Sequence, residues 1–269
     1  LFDAVIPETL GQTVGSTFDN KNVGSNKTVT VNSITLADGS NGGLAANYSI
    51  SAGQTTTAHI SPKSLTVSGN TASNKVYDSN SSATVSVTLS GFVGSETLTY
   101  TNSSSFNNKN VGTGKSVTVN SITLANGSNG GLAANYSISP GQTTTAHISK
   151  KSLTVSSISA SNKTYDGNDT ATSTITLSGF VGTEAVISSN LSSFNNKNVG
   201  TVKTVTVNSI TLADGTNGGL AANYSVTIGQ TTTANITPKA LSVSGITASN
   251  KTYDGNNAAT LDTMSLVYN

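Results

Sequence analysis

Three short segments gather the side chains that could act together chemically: NKVYDSN at 74–80, and NKTYDGN at both 162–168 and 250–256. A lysine beside a tyrosine and an aspartate can hold an anion or activate a nucleophile. The oxygens of Asp166, Asn168 and Asp169 form the fullest set for a hard cation such as calcium. In the other two copies only one carboxylate remains, Asp78 or Asp254, which would hold calcium weakly. The competing reading is a turn: the aspartate accepts a backbone N–H two residues on, glycine takes the left-handed conformation, and tyrosine packs its ring on the core. That reading takes in Lys75, Tyr77 and Asp78; Lys163, Tyr165, Asp166 and Gly167; and Lys251, Tyr253, Asp254 and Gly255. Ser79 in place of the glycine favours a tolerant turn over a close backbone approach to a ligand.

The copies also test every other candidate. His59 and His147 resemble metal ligands until Asn235 is found at the third equivalent position, so neither a metal nor a catalytic role is expected of them. The recurring titratable positions are the motif aspartates, Glu8, Glu96 and Glu184, and lysine columns that include Lys21, Lys109 and Lys197. No Ser-His-Asp, Cys-His or paired-carboxylate spacing survives, and no glycine loop between strand and helix could cradle phosphate. The expectation is a chain without catalytic residues or cofactors. A self-formed amide cross-link between lysine and asparagine, promoted by glutamate, is a further reading of these columns. Asn-x-Ser/Thr triplets at Asn47, Asn135, Asn223, Asn162 and Asn250 are candidate glycosylation sites.

The elements that hold these residues follow from the repeat. Tyr77, Tyr165 and Tyr253 are spaced by 88 residues, as are Phe18, Phe106 and Phe194, and Tyr48, Tyr136 and Tyr224. A period of that length suits an independent small domain better than a solenoid turn. Within it, ATVSVTL at 83–89 alternates apolar and polar residues as a half-buried strand does. SVTVNSITL at 116–124 alternates too, but its phase slips, and a bulge at Asn120 and Ser121 would restore the inward face. Further strands are expected at Leu65–Ser68, Glu96–Tyr100, Tyr136–Ser139 and Thr143–Ser149, with one helical turn at most, in LAAN.

These patterns predict an all-β chain: a tandem array of small antiparallel β-sandwich modules of immunoglobulin type, stacked end to end, with a β-grasp module as the alternative. Tyr48, Tyr136 and Tyr224 occupy the position of a corner tyrosine, whose hydroxyl ties the chain near the start of a late strand. Only about four residues separate the apolar strand positions of successive modules, as in Ile60-Ser-Pro-Lys-Ser-Leu65, so joints with restricted bending are expected. By this phasing, residues 63–150 and 151–238 are complete modules. Residues 1–62 form the C-terminal part of one, and 239–269 supply the N-terminal strands of another.

Composition narrows the function classes. Of the 269 residues only 34% are hydrophobic and 5% aromatic, which suits several thin β cores better than one large one. All thirteen basic residues are lysine and the net charge is +1, so no basic face is expected to bind nucleic acid. Cysteine is absent, which excludes disulfides and thiolate metal sites. No apolar run approaches the roughly 18 residues that cross a bilayer, so no membrane span is expected. The chain opens on Leu1 rather than Met and shows no signal peptide, as expected of a processed product or a piece of something longer.

The ordered succession LTVSG, NKxYDG, ATVSVTLSGFVG, FNNKNVGTGKSVTV, GLAANYSI and TTTAHI resembles the YDG-type repeat modules of large bacterial surface proteins, particularly filamentous-haemagglutinin-like adhesins exported by Gram-negative two-partner systems. The resemblance spans the chain except about residues 1–17 and 261–269. It implies an extracellular or cell-surface location and a non-enzymatic role. Three roles are compatible with it. The modules could be a stalk that projects a distal adhesive region, with a reach of roughly 120 Å for three sandwiches. They could adhere directly, as a multivalent binder of host or matrix glycans or of other copies. They could also form a fibre, in which residues 239–269 of one chain complete the part-module at 1–62 of the next by strand addition.

Overall fold

The computed structural model describes residues 7–269, and every structural statement below concerns those residues. Strands and turns make up nearly all of it. The only helical pieces are three single 3₁₀ turns, Ala45–Asn47, Ala133–Asn135 and Ala221–Asn223, at the LAAN segments. Each hands the chain directly to a tyrosine, because the backbone N–H of Tyr48, Tyr136 or Tyr224 closes the turn on the first alanine's carbonyl.

The chain divides into two compact units. One holds the residues up to Asn74 together with Asn80–Lys109 and Thr113–His147. The other holds Lys75–Ser79, Asn110–Gly112 and Ile148–Asn269.

The second unit contains the fullest module. Five strands form one sheet in the order Lys163–Thr164, Thr231–Thr237, Gly200–Ala213, Ile187–Phe194 and Thr170–Ala171. Three form another, Ser173–Ser178, Lys151–Ala160 and Tyr224–Val226. Between them Phe194, Val205, Ala234 and Ile236 are buried, with Ala160, Tyr165 and Ala171 packed against them. Each large apolar side chain so buried contributes about 1.5–3 kcal/mol, and a core this thin relies on all of them.

Most ladders are antiparallel, but the opening strands pair in parallel with the closing ones. Lys151 faces Tyr224, and Lys163 faces Ile236. First and last strands therefore point the same way, and this lets a chain enter a module at one end and leave it at the other. The unit also includes Lys75–Val76, parallel to Ile148–Ser149, and two short ladders in the last residues, Val243–Ser244 with Val267–Tyr268 and Thr247–Ala248 with Leu261–Asp262.

In the first unit the strand Leu98–Phe106 runs antiparallel to the long strand Gly112–Asn126. The phase slip in the sequence is a β-bulge at Asn120: Ser103 faces Ser121 and Ser104 faces Val119, leaving Asn120 over. Val117 and Val119 lie fully buried as a result. The bulged asparagine recurs as Asn32 and Asn208, and each donates its amide to a hydroxyl across the strand, on Thr17, Ser105 or Ser193. The half of the strand at Thr101–Phe106 extends beyond the expected one because Asn102 and Ser103–Ser105 are polar and give no apolar signal, although Ser104 is buried.

The unit also contains a three-stranded sheet, Leu10–Phe18, Gly24–Asp38 and Thr55–Ile60. Its inward positions are not fully covered. Phe18 is 37% exposed, whereas the equivalent Phe106 is 3% exposed.

Candidate functional site, a glutamate-centred joint

The geometry that recurs most fully lies around the glutamate column. Glu96 and Glu184 each close a short turn, donating their backbone N–H to the carbonyls of Val93 and Val181 three residues back. The intervening Gly94 and Gly182 take the positive φ such a turn requires. Above each turn stands the tyrosine delivered by the 3₁₀ turn. The Tyr136 hydroxyl accepts the Val93 N–H at 3.1 Å and donates to Glu96 Oε2 at 2.7 Å. Tyr224 does the same with Val181 at 3.2 Å and Glu184 Oε2 at 2.7 Å. Phe92 and Phe180 meet these rings edge-on, at 5.8 and 5.6 Å. Tyr136 and Tyr224, read from the sequence as corner residues, thus tie a turn some forty residues upstream through a carboxylate, and Tyr48 donates to Glu8 at 2.6 Å.

The free oxygen of each glutamate receives a group from elsewhere in the chain. In the first unit Lys21 Nζ lies 2.9 Å from Glu96 Oε1. Beside it the Val23 N–H donates to Asn135 Oδ1 at 2.9 Å, and Asn135 donates in turn to Asn22 Oδ1. In the second unit Val111 and Asn110 make the same pair of bonds with Asn223. There Glu184 also accepts the Tyr77 hydroxyl, at 2.9 and 3.1 Å, and the Ser79 hydroxyl at 2.7 Å. Tyr77 lies edge-on to Tyr224 with centroids 5.6 Å apart. Tyr77 and Asn223 are each 1% exposed and Glu184 is 7% exposed. A carboxylate this buried requires charge-assisted hydrogen bonds of this kind to offset its lost hydration.

The electrostatics follow the contacts. Burial, followed by the Glu184 carboxylate, pushes the Tyr224 phenol up to about 12. The Tyr136 hydroxyl and then the Lys21 ammonium hold Glu96 below the usual carboxylate range. Glu96 in return raises Lys21.

The NKTYDGN segment at 162–168 is a turn with an internal cation. Lys163 Nζ donates to Asp166 Oδ1 at 2.8 Å, to Asn168 Oδ1 at 2.9 Å and to the Asn168 carbonyl at 2.9 Å. Asp166 accepts the Asn168 N–H two residues on, at 3.2 Å. The lysine, more than the Asn168 N–H, holds the Asp166 carboxyl below its ordinary range. Lys251, Asp254 and Asn256 repeat the arrangement, and Lys75 pairs with Asp78 at 2.7 Å. Gly167 and Gly255 have positive φ, and so does Ser79, at 67°.

Two of the oxygen donors named for calcium, Asp166 and Asn168, thus already surround an ammonium, which takes the place a metal ion would need. Among the described residues no group of three or more His, Asp or Glu side chains could hold a metal ion. A lysine also reaches an asparagine oxygen in every repeat, Lys27 to Asn20, Lys115 to Asn108 and Lys203 to Asn196. The glutamates that would promote a cross-link there are engaged with the tyrosines instead.

The histidines are bound to backbone. His147 Nδ1 accepts the Gly114 N–H at 2.9 Å, and at the third position Asn235 Oδ1 accepts the Val202 N–H at 2.7 Å. The two side chains place an acceptor at nearly the same distance from Cα, so asparagine substitutes for histidine at this turn.

Sequence reasoning listed the glutamates as recurring and gave them only the role of promoting a lysine–asparagine cross-link, not a tyrosine partner, and it read Asn135 and Asn223 as glycosylation candidates rather than as joint residues. It also took Ser79 only as a sign of tolerance, whereas the hydroxyl binds Glu184. The available signal was the strict recurrence of Glu8, Glu96 and Glu184 in a chain with few acids.

Residues 3–58, 61–146 and 149–234 each match the family model described as YDG domain. No curated protein and no solved structure is significantly similar to the chain.

Proposed function

We propose that this chain, which belongs to the YDG domain family, is a spacer: a non-enzymatic stalk segment of a bacterial surface adhesin that holds an adhesive region away from the cell. The observation that carries this reading is Glu184, a buried carboxylate whose partners come from both Tyr77 and Tyr224, in successive repeats of the sequence. A spacer has to resist bending where one repeat meets the next. A buried, fully bonded carboxylate resists it, since separating the partners would strand a charge away from water. The recurring charges of the YDG turn support the same reading, because lysine and aspartate satisfy each other and leave little to offer a substrate. A cell-surface location fits a segment of this kind, and among the described residues no helix is long and apolar enough to cross a membrane.

A spacer must be extended and of fixed length. Electron microscopy of the purified chain is expected to show particles of uniform length, and particles of variable length would reject the proposal. Glycan-array binding that grows with the number of repeats would instead favour adhesion by the repeats themselves.

A further inference from the structure

In the third repeat one strand of the five-stranded sheet keeps an open edge. Ile187–Phe194 pairs along one side with Gly200–Ala213, but on its other side Thr170–Ala171 covers only Ser193 and Ser192. Phe194 donates its backbone N–H toward that second side, to the Asp169 carbonyl. Backbone groups alternate in direction along a strand, so those of Ser188 and Asn190 face the same way as those of Phe194. No strand among the described residues pairs with them there. Ser173, from the other sheet, bonds to the side chains of Asn190 and Ser192, which point inward.

The outward side chains of this edge set the third repeat apart. Ile187 is 63% exposed and Leu191 71% exposed, with the exposed Ser189 between them on the same face. The equivalent residues are Thr99 and Ser103 in the second repeat, and Gly11 and Gly15 in the first. An open edge is ordinarily blunted by charge, proline or a bulge. Ile187–Leu191 contains neither charge nor proline, and the bulge of this ladder lies on the neighbouring strand, at Asn208. The segment is also complementary to itself. When two copies pair antiparallel about Ser189, Ile187 of each faces Leu191 of the other, and the open backbone groups of Ser188 meet those of Asn190.

We propose that this edge is a contact between two copies of the chain, which pair side by side through Ile187–Leu191 about a two-fold axis at Ser189. Main-chain bonds join the two sheets into one, and the two Ile187–Leu191 cross-strand pairs fix the register and supply the apolar contact. The contact is isologous, so it closes at two copies. A ladder this short buries far less than the roughly 1,600 Å² of a stable interface, so the pairing is weak and transient. This goes beyond the spacer reading and does not rest on it.

The chain has no cysteine, which makes a cross-link test clean. Two Ser189 residues on the axis form a non-hydrogen-bonded pair, whose Cα atoms lie about 4.5 Å apart, within disulfide range. On mild oxidation Ser189→Cys is expected to form covalent dimers on the order of tenfold faster than Thr101→Cys, the exposed equivalent on the second repeat. Each rate is divided by that thiol's rate with a small disulfide, which removes differences in intrinsic reactivity. Adding Ile187→Thr and Leu191→Ser, the side chains of the second repeat, should abolish the advantage of Ser189→Cys. In sedimentation velocity the unmodified chain should move from monomer toward dimer, and no further, as concentration rises to about 1 mM. Ile187→Thr with Leu191→Ser should hold it at the monomer. Equal normalised rates for Ser189→Cys and Thr101→Cys, or an advantage that survives the two exchanges, would overturn the proposal. So would an unmodified chain that stays monomeric at about 1 mM or grows beyond the dimer.

Discussion

Tyr77 lies edge-on to Tyr224 at 80°, with ring centroids 5.6 Å apart, and both hydroxyls point at the same carboxylate, that of Glu184. The pair converts two residues far apart in sequence into one fastening. Its parts are unequal across the chain: Glu96 is reached by Tyr136 and an exposed lysine, and Glu8 accepts the Tyr48 hydroxyl.

Removing the carboxylate should therefore cost different amounts at the two joints. Glu184→Ala leaves the buried Tyr77 and Tyr224 hydroxyls, and that of Ser79, without this acceptor and is expected to destabilise by roughly 3 kcal/mol. Glu96→Ala, with a solvated lysine as its second partner, should cost less. Urea unfolding of both variants against the parent chain measures the difference.

The raised phenol sets an alkaline limit. Tyr224 has a folded-state value of about 12, above its ordinary value of 10. The folded state thus holds the proton more tightly than the unfolded state, and stability is fully present below about pH 10 and falls as pH rises toward 12. A melting temperature that drops across that window in the parent chain, and drops less in Tyr224→Phe, is the expected result. The loss is on the order of 2 kcal/mol.

At the acid end Glu96 has the opposite sign. Its folded value is depressed, so its contribution is present above the ordinary glutamate range and is lost as pH falls through the depressed value. Glu96→Gln should flatten the parent's decline in melting temperature below about pH 4.5.

The histidine turn predicts a substitution that chemistry alone would not. His147→Asn should leave stability within about 0.5 kcal/mol, because the amide oxygen can take the Gly114 N–H. His147→Ala, which removes the acceptor, should cost about 1 kcal/mol. Thermal unfolding of the two variants distinguishes an acceptor role from a role of the imidazole itself.

At the equivalent turn of the third repeat, Val202 has a φ of 48° and is 72% exposed. A β-branched residue is strained in that region, where the other repeats have Asn26 and Gly114. Val202→Asn is expected to raise stability by about 1 kcal/mol, read as a higher urea midpoint with an unchanged slope.

The repeat, the strands and even the bulge were legible in the sequence. Each is a local matter: an 88-residue period, an alternation of valine with threonine, and a phase slip at Asn120 that only an extra residue can absorb. The aspartate's backbone bond two residues on was legible for the same reason, but the lysine that joins Asp166 and Asn168 was not read. Tertiary structure decided what the recurring glutamates, Asn135, Asn223 and Ser79 are for. Their partners lie far along the chain, and a residue type repeated every 88 positions does not reveal which other column it meets. The parallel pairing of first and last strands was likewise invisible to alternation, which is the same for either strand direction. Spacing thus determined the modules, while burial and direction, which exist only once the chain is folded, determined how their residues join.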